Sequence, residues 1–270
     1  MFCAVWQFIY SSSIIAISKR AIGEFQPLES VWEHEDGSFR DPFRPNIQAN
    51  GFVSEHEVNL DRQQHLNSVK KMFESLDVFV FTLGLTECWR AKADGAVFPL
   101  CPGVEGGDFD ENKYEFYNQT VSDVIADMTE FNSILQRLNP TSQVILTVSP
   151  VPLMATASEN QHVLSATTYS KSVLRVAAEE LSKMDNIHYF PSYEVITGNY
   201  NRGSYYADDL RNVLEDGVSH VMGLFFKHAT EGGFSGVPLE EKVEEVAEDK
   251  SIKAARELVE VECDEELLGR

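Results

Sequence analysis

The sequence predicts an α/β protein built on a parallel sheet, and three stretches carry that expectation. Val78–Leu83 and Gln143–Val148 are short runs of β-branched, aromatic and other apolar residues, as expected of strands buried inside a sheet. Residues 187–190, Ile-His-Tyr-Phe, give a third. Between them lie amphipathic segments of helical length, at 121–138 and 168–184. Strand, helix, strand, helix, strand at these lengths is the pattern of βαβ units, and hence of a parallel sheet. With 270 residues, 43% of them hydrophobic, the chain can bury one sizeable core.

The remaining elements follow in order. The apolar start has no positive charge before it, and Lys19 and Arg20 follow it. It is a poor secretory signal, and too short and polar to span a membrane. Residues 9–21 read as a helix with Ile14, Ile15, Ile17 and Ile22 loosely on one face, ended by Gly23. From 25 to 59 the pattern is irregular, and an Asp-Gly pair with Pro42 and Pro45 makes turns. Trp32, Phe39, Phe43 and Phe52 give this stretch something to bury, so an ordered covering loop is expected. Residues 61–75 form a helix with Leu66, Val69, Met72 and Phe73 on one side, running directly into Val78–Leu83. After Trp89 comes a Gly/Pro/Asp-rich excursion over 93–107. The helix at 121–138 stops at Asn139 and Pro140, and a last helix covers 213–227. Beyond Gly233 the chain is dominated by Glu, Lys and Ala. The expected layout is a domain over 1–232 and an acidic tail over 233–270, helical and solvated or disordered.

Composition excludes some functions. A net charge of −21 with no basic stretch argues against nucleic acid or an anionic membrane as partner. Cys3, Cys88, Cys101 and Cys263 show no paired spacing, which suits a reduced, cytoplasmic protein. The seven histidines form no HxH or HxxxH pattern, so neither a metal nor another cofactor is expected.

In open α/β sheets, ligands sit outside the carboxyl ends of the strands. The three strand ends here carry Gly84, Thr86 and Glu87 with Trp89, then Ser149, then Ser192 and Glu194. A fourth segment, 205–212, brings Asp209 towards the helix that holds His220. Acyl transfer needs a nucleophile, a base, an acid to orient the base, and donors for the oxyanion. Asp209 and His220 suit orienter and base, and the Gly84 amide and Thr86 hydroxyl suit the oxyanion. The bland readings stand beside these. Thr86 and Glu87 also fit a helix cap after a glycine turn. His220, among Val218, Val221 and Leu224, also fits a core-facing histidine. Ser149 lacks the Gly-x-Ser-x-Gly context of a nucleophile and reads as a turn residue. Trp89, Tyr205 and Tyr206 suit either stacking on a sugar ring or ordinary wall packing.

The stretches 82–89, 149–153, 169–174, 189–194, 206–211 and 217–222 together resemble the successive signatures of the GSCFA domain family. Order and spacing agree over roughly residues 8–226. The family is grouped with the SGNH (GDSL-like) hydrolases. The resemblance therefore implies a flavodoxin-like three-layer α/β/α fold and an esterase or acyltransferase, acting on a small-molecule or acylated carbohydrate substrate. It places Gly84–Glu87 at the Gly-x-Asn-Asp block, with Thr86 where the superfamily has its oxyanion asparagine. It makes Asp209 the acid of the final Asp-x-x-His block. Two departures matter. The Gly-Ser-Cys-Phe-Ala motif that supplies the family's serine nucleophile is not in this sequence, and Asn212 stands where the block has histidine, leaving His220 as the nearby substitute. The resemblance thus implies a member lacking its N-terminal catalytic segment, and with it the sheet's first strand. This chain alone would be inactive, and Val78–Leu83 would expose an edge suited to self-association. The alternative is a non-catalytic carbohydrate-binding or interaction module on the same fold.

Overall fold

The computed structural model describes the backbone of residues 3–8 and 229 and all of residues 10–228. Cys3–Phe8 forms β1 and Ser11–Ala21 forms α1. Two short strands, β2 (Trp32–Glu33) and β3 (Phe39–Arg40), make an antiparallel ribbon, and α2 (Glu55–Ser75) leads into β4 (Val78–Leu83). Next come β5 (Glu87–Ala91), β6 (Val97–Phe98) and β7 (Tyr114–Asn118), then α3 (Val121–Leu138), β8 (Gln143–Val148) and α4 (Val163–Leu181). The order closes with β9 (Ile187–Tyr189), α5 (Ser192–Thr197), a single 3₁₀ turn at Asn199–Asn201, and α6 (Glu215–Ala229). Two compact units are distinguished, 1–218 and 219–270, with the division falling inside α6. The acidic tail expected at 233–270 lies outside the described residues.

The main sheet is wholly parallel, in the order β1-β4-β8-β9, and it is flanked by helices, consistent with a three-layer α/β/α fold. Its core follows from the two-residue period of a strand. Phe79, Phe81 and Leu83 of β4 register beside Val144, Leu146 and Val148 of β8, so all six side chains share one face. Together with Ile14, Phe73, Phe131 and Leu174 from the four long helices before β9, they form one buried cluster. Phe73, Phe79 and Phe131 meet with ring centroids 5.3–5.8 Å apart. The opposite face is more polar. Val78, Thr82, Gln143 and Ile145 are only half-buried there, and the Thr147 hydroxyl meets Ser192 at the start of α5.

One expectation about this sheet is corrected. β4 was expected to lack its first-strand neighbour, but Cys3–Phe8 pairs with it along its full length. β4 is therefore an interior strand, and the outer strands are β1 and β9. The physical reason lies in composition: residues 3–8 alternate small, branched and aromatic side chains, which suit a pleated surface. The helix expected from residue 9 starts at Ser11 instead.

The helix boundaries have local causes. Ser54 caps α2, its hydroxyl accepting from the Glu57 N–H, so that helix starts ahead of the expected residue 61. Thr120 and Asp123 form a capping box on α3, and at its far end Asn139 Nδ2 donates to the Leu76 carbonyl (2.6 Å). His162 caps α4 through Nδ1, which moves its start five residues upstream of the expected 168. The 93–107 excursion and its surroundings hold a second sheet, antiparallel, in the order β6-β5-β7. The covering loop is ordered, as expected. Trp32 is buried against Phe98 (centroids 5.1 Å), in a small core with Ala91, Ala96 and Tyr114. Gly107, at φ +66°, lies so close that a Cβ there would sit 3.0 Å from the Trp32 indole.

Candidate functional site

The carboxyl end of β4 is a turn followed by a strand, so Thr86 and Glu87 cap no helix. Thr86 is fully buried and held from three sides. Its N–H donates to Ser170 Oγ (3.1 Å), its hydroxyl donates to Asn118 Oδ1 (2.7 Å), and its carbonyl accepts from the Gln119 N–H (2.9 Å). Lys171, 3% exposed, donates from Nζ to the Gly84 carbonyl (2.8 Å). Ser170 and Lys171 reach the turn because α4 packs antiparallel to β8 and β9 and presents its first half at the strand ends. Both lie in one of the family signatures, yet the sequence alone gave neither a role. Their signal was a lysine and a serine on the inward face of an otherwise apolar helix.

Glu87 opens β5 and is 8% exposed. Its carboxylate accepts from Thr156 Oγ1 (2.5 Å) and the Ala157 N–H (3.2 Å), and so pins the loop after β8 beside the β4 turn. Trp89, two residues on, is half-buried, edge-on to Phe109 and Phe116 at 5.4 and 5.8 Å. Phe109 is 48% exposed, so an aromatic surface opens beside this strand.

At the end of β8, the Ser149 hydroxyl accepts from the Val151 N–H (3.2 Å), which is the turn role expected of it. At the end of β9, Ser192 donates to the Val148 carbonyl (3.2 Å). Glu194 takes Arg175 Nε (2.6 Å) and the Tyr189 hydroxyl (2.7 Å). Both tie α5 to the sheet.

The 205–212 segment is docked at the same edge. Tyr206 donates its hydroxyl to the Pro150 carbonyl (3.0 Å), and burial pushes its phenol up to about 12, so it stays a donor at neutral pH. Asp209 is exposed and organises its own turn. Oδ1 accepts the Arg211 and Asn212 N–H groups (2.9 and 3.0 Å), and Oδ2 accepts from the Asn212 side chain (2.7 Å). Those bonds hold its carboxyl below the usual carboxylate range. Leu210, between them, stands at φ +56°, a left-handed conformation that a branched side chain disfavours, and it is 74% exposed. Asn212, in the place of the superfamily's histidine, thus serves as a ligand of Asp209. His220 lies on α6 in the second unit. Four of the expected residues, Gly84, Thr86, Glu87 and Trp89, are brought together in one turn and strand.

Among the described residues, no three His, Cys, Asp or Glu side chains converge as metal ligands, and no helix is long and apolar enough to cross a membrane.

The domain is a parallel α/β/α one whose polar side chains gather past the strand ends, the edge at which ligands sit in open α/β sheets. The chain belongs to the GSCFA family, whose model matches residues 5–225. No curated protein matches it.

Proposed function

We propose that this domain is the scaffold of an SGNH-type esterase or acyltransferase, with acylated carbohydrate as the substrate class and its serine nucleophile not among these 270 residues. The observation that supports it best is the Gly84–Glu87 turn, with Thr86 and Glu87 buried, braced by Ser170, Lys171 and Asn118 at the strand end, where such chemistry needs a rigid donor site. In this reading Gly84 and Thr86 form the oxyanion side, and Asp209 on its docked turn orients a base. Thr86 reaches an oxyanion only by releasing Asn118, so its hydroxyl is set by a partner already in place. The four scattered thiols favour a cytoplasmic setting.

A fluorophosphonate probe tests the reading. The chain as given is expected to remain unlabelled, whereas a chain joined to a Gly-Ser-Cys-Phe-Ala segment is expected to label on that serine. In the joined chain, Thr86→Val should cost roughly 3 kcal/mol of barrier if the hydroxyl serves the oxyanion. Labelling of Ser149 or Ser192, or of no residue in the joined chain, would sink the proposal.

A second reading, a carbohydrate-binding module, draws on the aromatic surface that exposed Phe109 makes with half-buried Trp89 and Phe116. Binding of an acetylated oligosaccharide that is lost in Trp89→Ala, with no turnover in the joined chain, would favour it.

A further inference from the structure

A second site lies in the helical layer, away from the strand ends. A cleft of about 550 Å³ opens between the last turn of α1, the loop after it and the middle of α2. Arg20 and Arg62 line it, with Gln63 and Asn67 as further polar groups and Phe25 and Leu66 as apolar wall. α1 leaves the carboxyl end of β1 and carries the chain back, so Arg20 is roughly 13 Å along the helix from Ser11.

Charge is unevenly balanced around this cleft. Asp41 is fully buried, and its Oδ2 takes both Arg44 Nη2 (2.9 Å) and Arg62 Nε (3.2 Å). Arg44 also reaches Asp61 (2.7 Å). Two carboxylates therefore face three guanidinium groups, because Arg20 joins the cluster stacked over the Phe43 ring, 4.0 Å from its centroid. Burial lowers Arg20 to about 10 against the pull of Asp41, and Arg62 and Arg44 press the same way. His65 nearby is lowered to about 4, by burial first and then by Arg44. In a chain of net charge −21, this is a local surplus of positive charge beside a cavity. Guanidinium forks match the geometry of oxyanions, and low local dielectric strengthens the match.

We propose that this cleft binds a small organic oxyanion, its charged group against Arg20 and Arg62 and its apolar body against Phe25 and Leu66. The site is independent of the chemistry proposed at the strand ends. Arg62 is held ready for such a ligand. Its Nη1 donates to Asn59 Oδ1 (3.0 Å), Nε to Asp41, and Nη2 to the Ser30 carbonyl, which fixes the plane of its fork. Arg20 supplies the charge that Asp41 and Asp61 leave uncompensated.

Phenyl phosphate is a suitable probe, titrated into the full 270-residue chain and followed by phosphorus NMR line broadening. Saturable binding at about millimolar or tighter is expected, with no competition from phenol. Arg20→Gln should weaken binding about tenfold, the worth of one charge-assisted hydrogen bond, while Arg20→Lys keeps part of the affinity. Gln26 is an exposed residue of the rim, so Gln26→Glu retains the fold even where loss of the Phe43 stack does not. It should weaken binding by setting a carboxylate against the ligand. Absence of saturation, or affinity unchanged in both Arg20→Gln and Gln26→Glu, would overturn the proposal.

Discussion

The Gly84–Glu87 turn and the Asp41 cluster are both buried polar constructions, held in different ways. At the turn, Thr86 is fixed by a hydroxyl, an amide side chain and a backbone N–H, each bond between neutral groups. At Asp41, one carboxylate lies between two guanidinium groups with a third close by. Loss of a neutral partner leaves one group unsatisfied, whereas loss of the central anion leaves cations facing one another. Around Thr86 the bonds set geometry with little at stake electrostatically, the charges of the turn lying beside it on Lys171 and Glu87. The Asp41 cluster concentrates stability in a single residue.

Asp41→Asn is the sharpest way to break the comparison. Burial pushes the Asp41 carboxyl up, but Arg62 and Arg44 outweigh it and hold it below the usual range. The stability this group contributes is therefore present at neutral pH and lost as pH falls through its lowered value. Substitution should cost about 3–5 kcal/mol in a urea melt, as for other broken buried pairs. A loss no larger than that of a hydroxyl deletion would mean the cluster is better hydrated than its burial implies.

Thr86→Val comes next, at about 1–3 kcal/mol, because the half-buried Asn118 Oδ1 loses the donor that the fully buried Thr86 supplies. Ser170→Ala should fall in the same range by removing the acceptor of the Thr86 N–H. Values additive in the double mutant would show that the two bonds act separately, and a strong departure would show one coupled brace.

Asp127 offers a case between the two regions. Its carboxylate accepts from Ser11 (3.0 Å) and Gln119 (2.9 Å), tying α1 to α3. Burial raises it to about 6, against those two bonds. A raised carboxyl binds its proton more tightly in the folded state, so its contribution is present at low pH and lost as pH rises through about 6. His65 acts with the opposite sign, since its lowered value makes acid destabilising. The test is thus the difference between wild type and Asp127→Asn. Between about pH 4 and pH 6 the wild-type melting point should fall relative to the variant. A constant difference would place the carboxylate in water.

The smallest effect is expected at Leu210. Leu210→Gly relieves a left-handed backbone but adds freedom to the unfolded chain, for a net gain below about 1 kcal/mol. An unchanged melt would mean that the Asp209 hydrogen bonds already absorb the strain.

Much of the framework was legible because it depends on local pattern. Val78–Leu83 and Gln143–Val148 needed only a run of apolar residues bounded by polar ones, and the α3 boundaries needed only Thr120, Asp123 and Pro140. The grouping of Gly84, Thr86, Glu87 and Trp89 was legible because they are neighbours in sequence. Other features were not. β5–β7 hides in a stretch of Gly, Pro and Asp because its strands are short and pair antiparallel within a small separate core. β1 was missed because six residues of mixed character become a strand only when β4 supplies a partner.

By itself, the sequence determined the parallel α/β class, the family and the grouping of polar residues at the end of β4, since periodicity and motif spacing survive without any knowledge of contacts. Only the tertiary structure decided which groups brace that site and where charge is stored. Ser170 and Asn118 meet Thr86 across 84 and 32 residues, and Arg62 meets Asp41 across 21. Such partnerships are chosen by the packing of helices and sheets, which brings side chains within the short reach of a hydrogen bond irrespective of their separation along the chain.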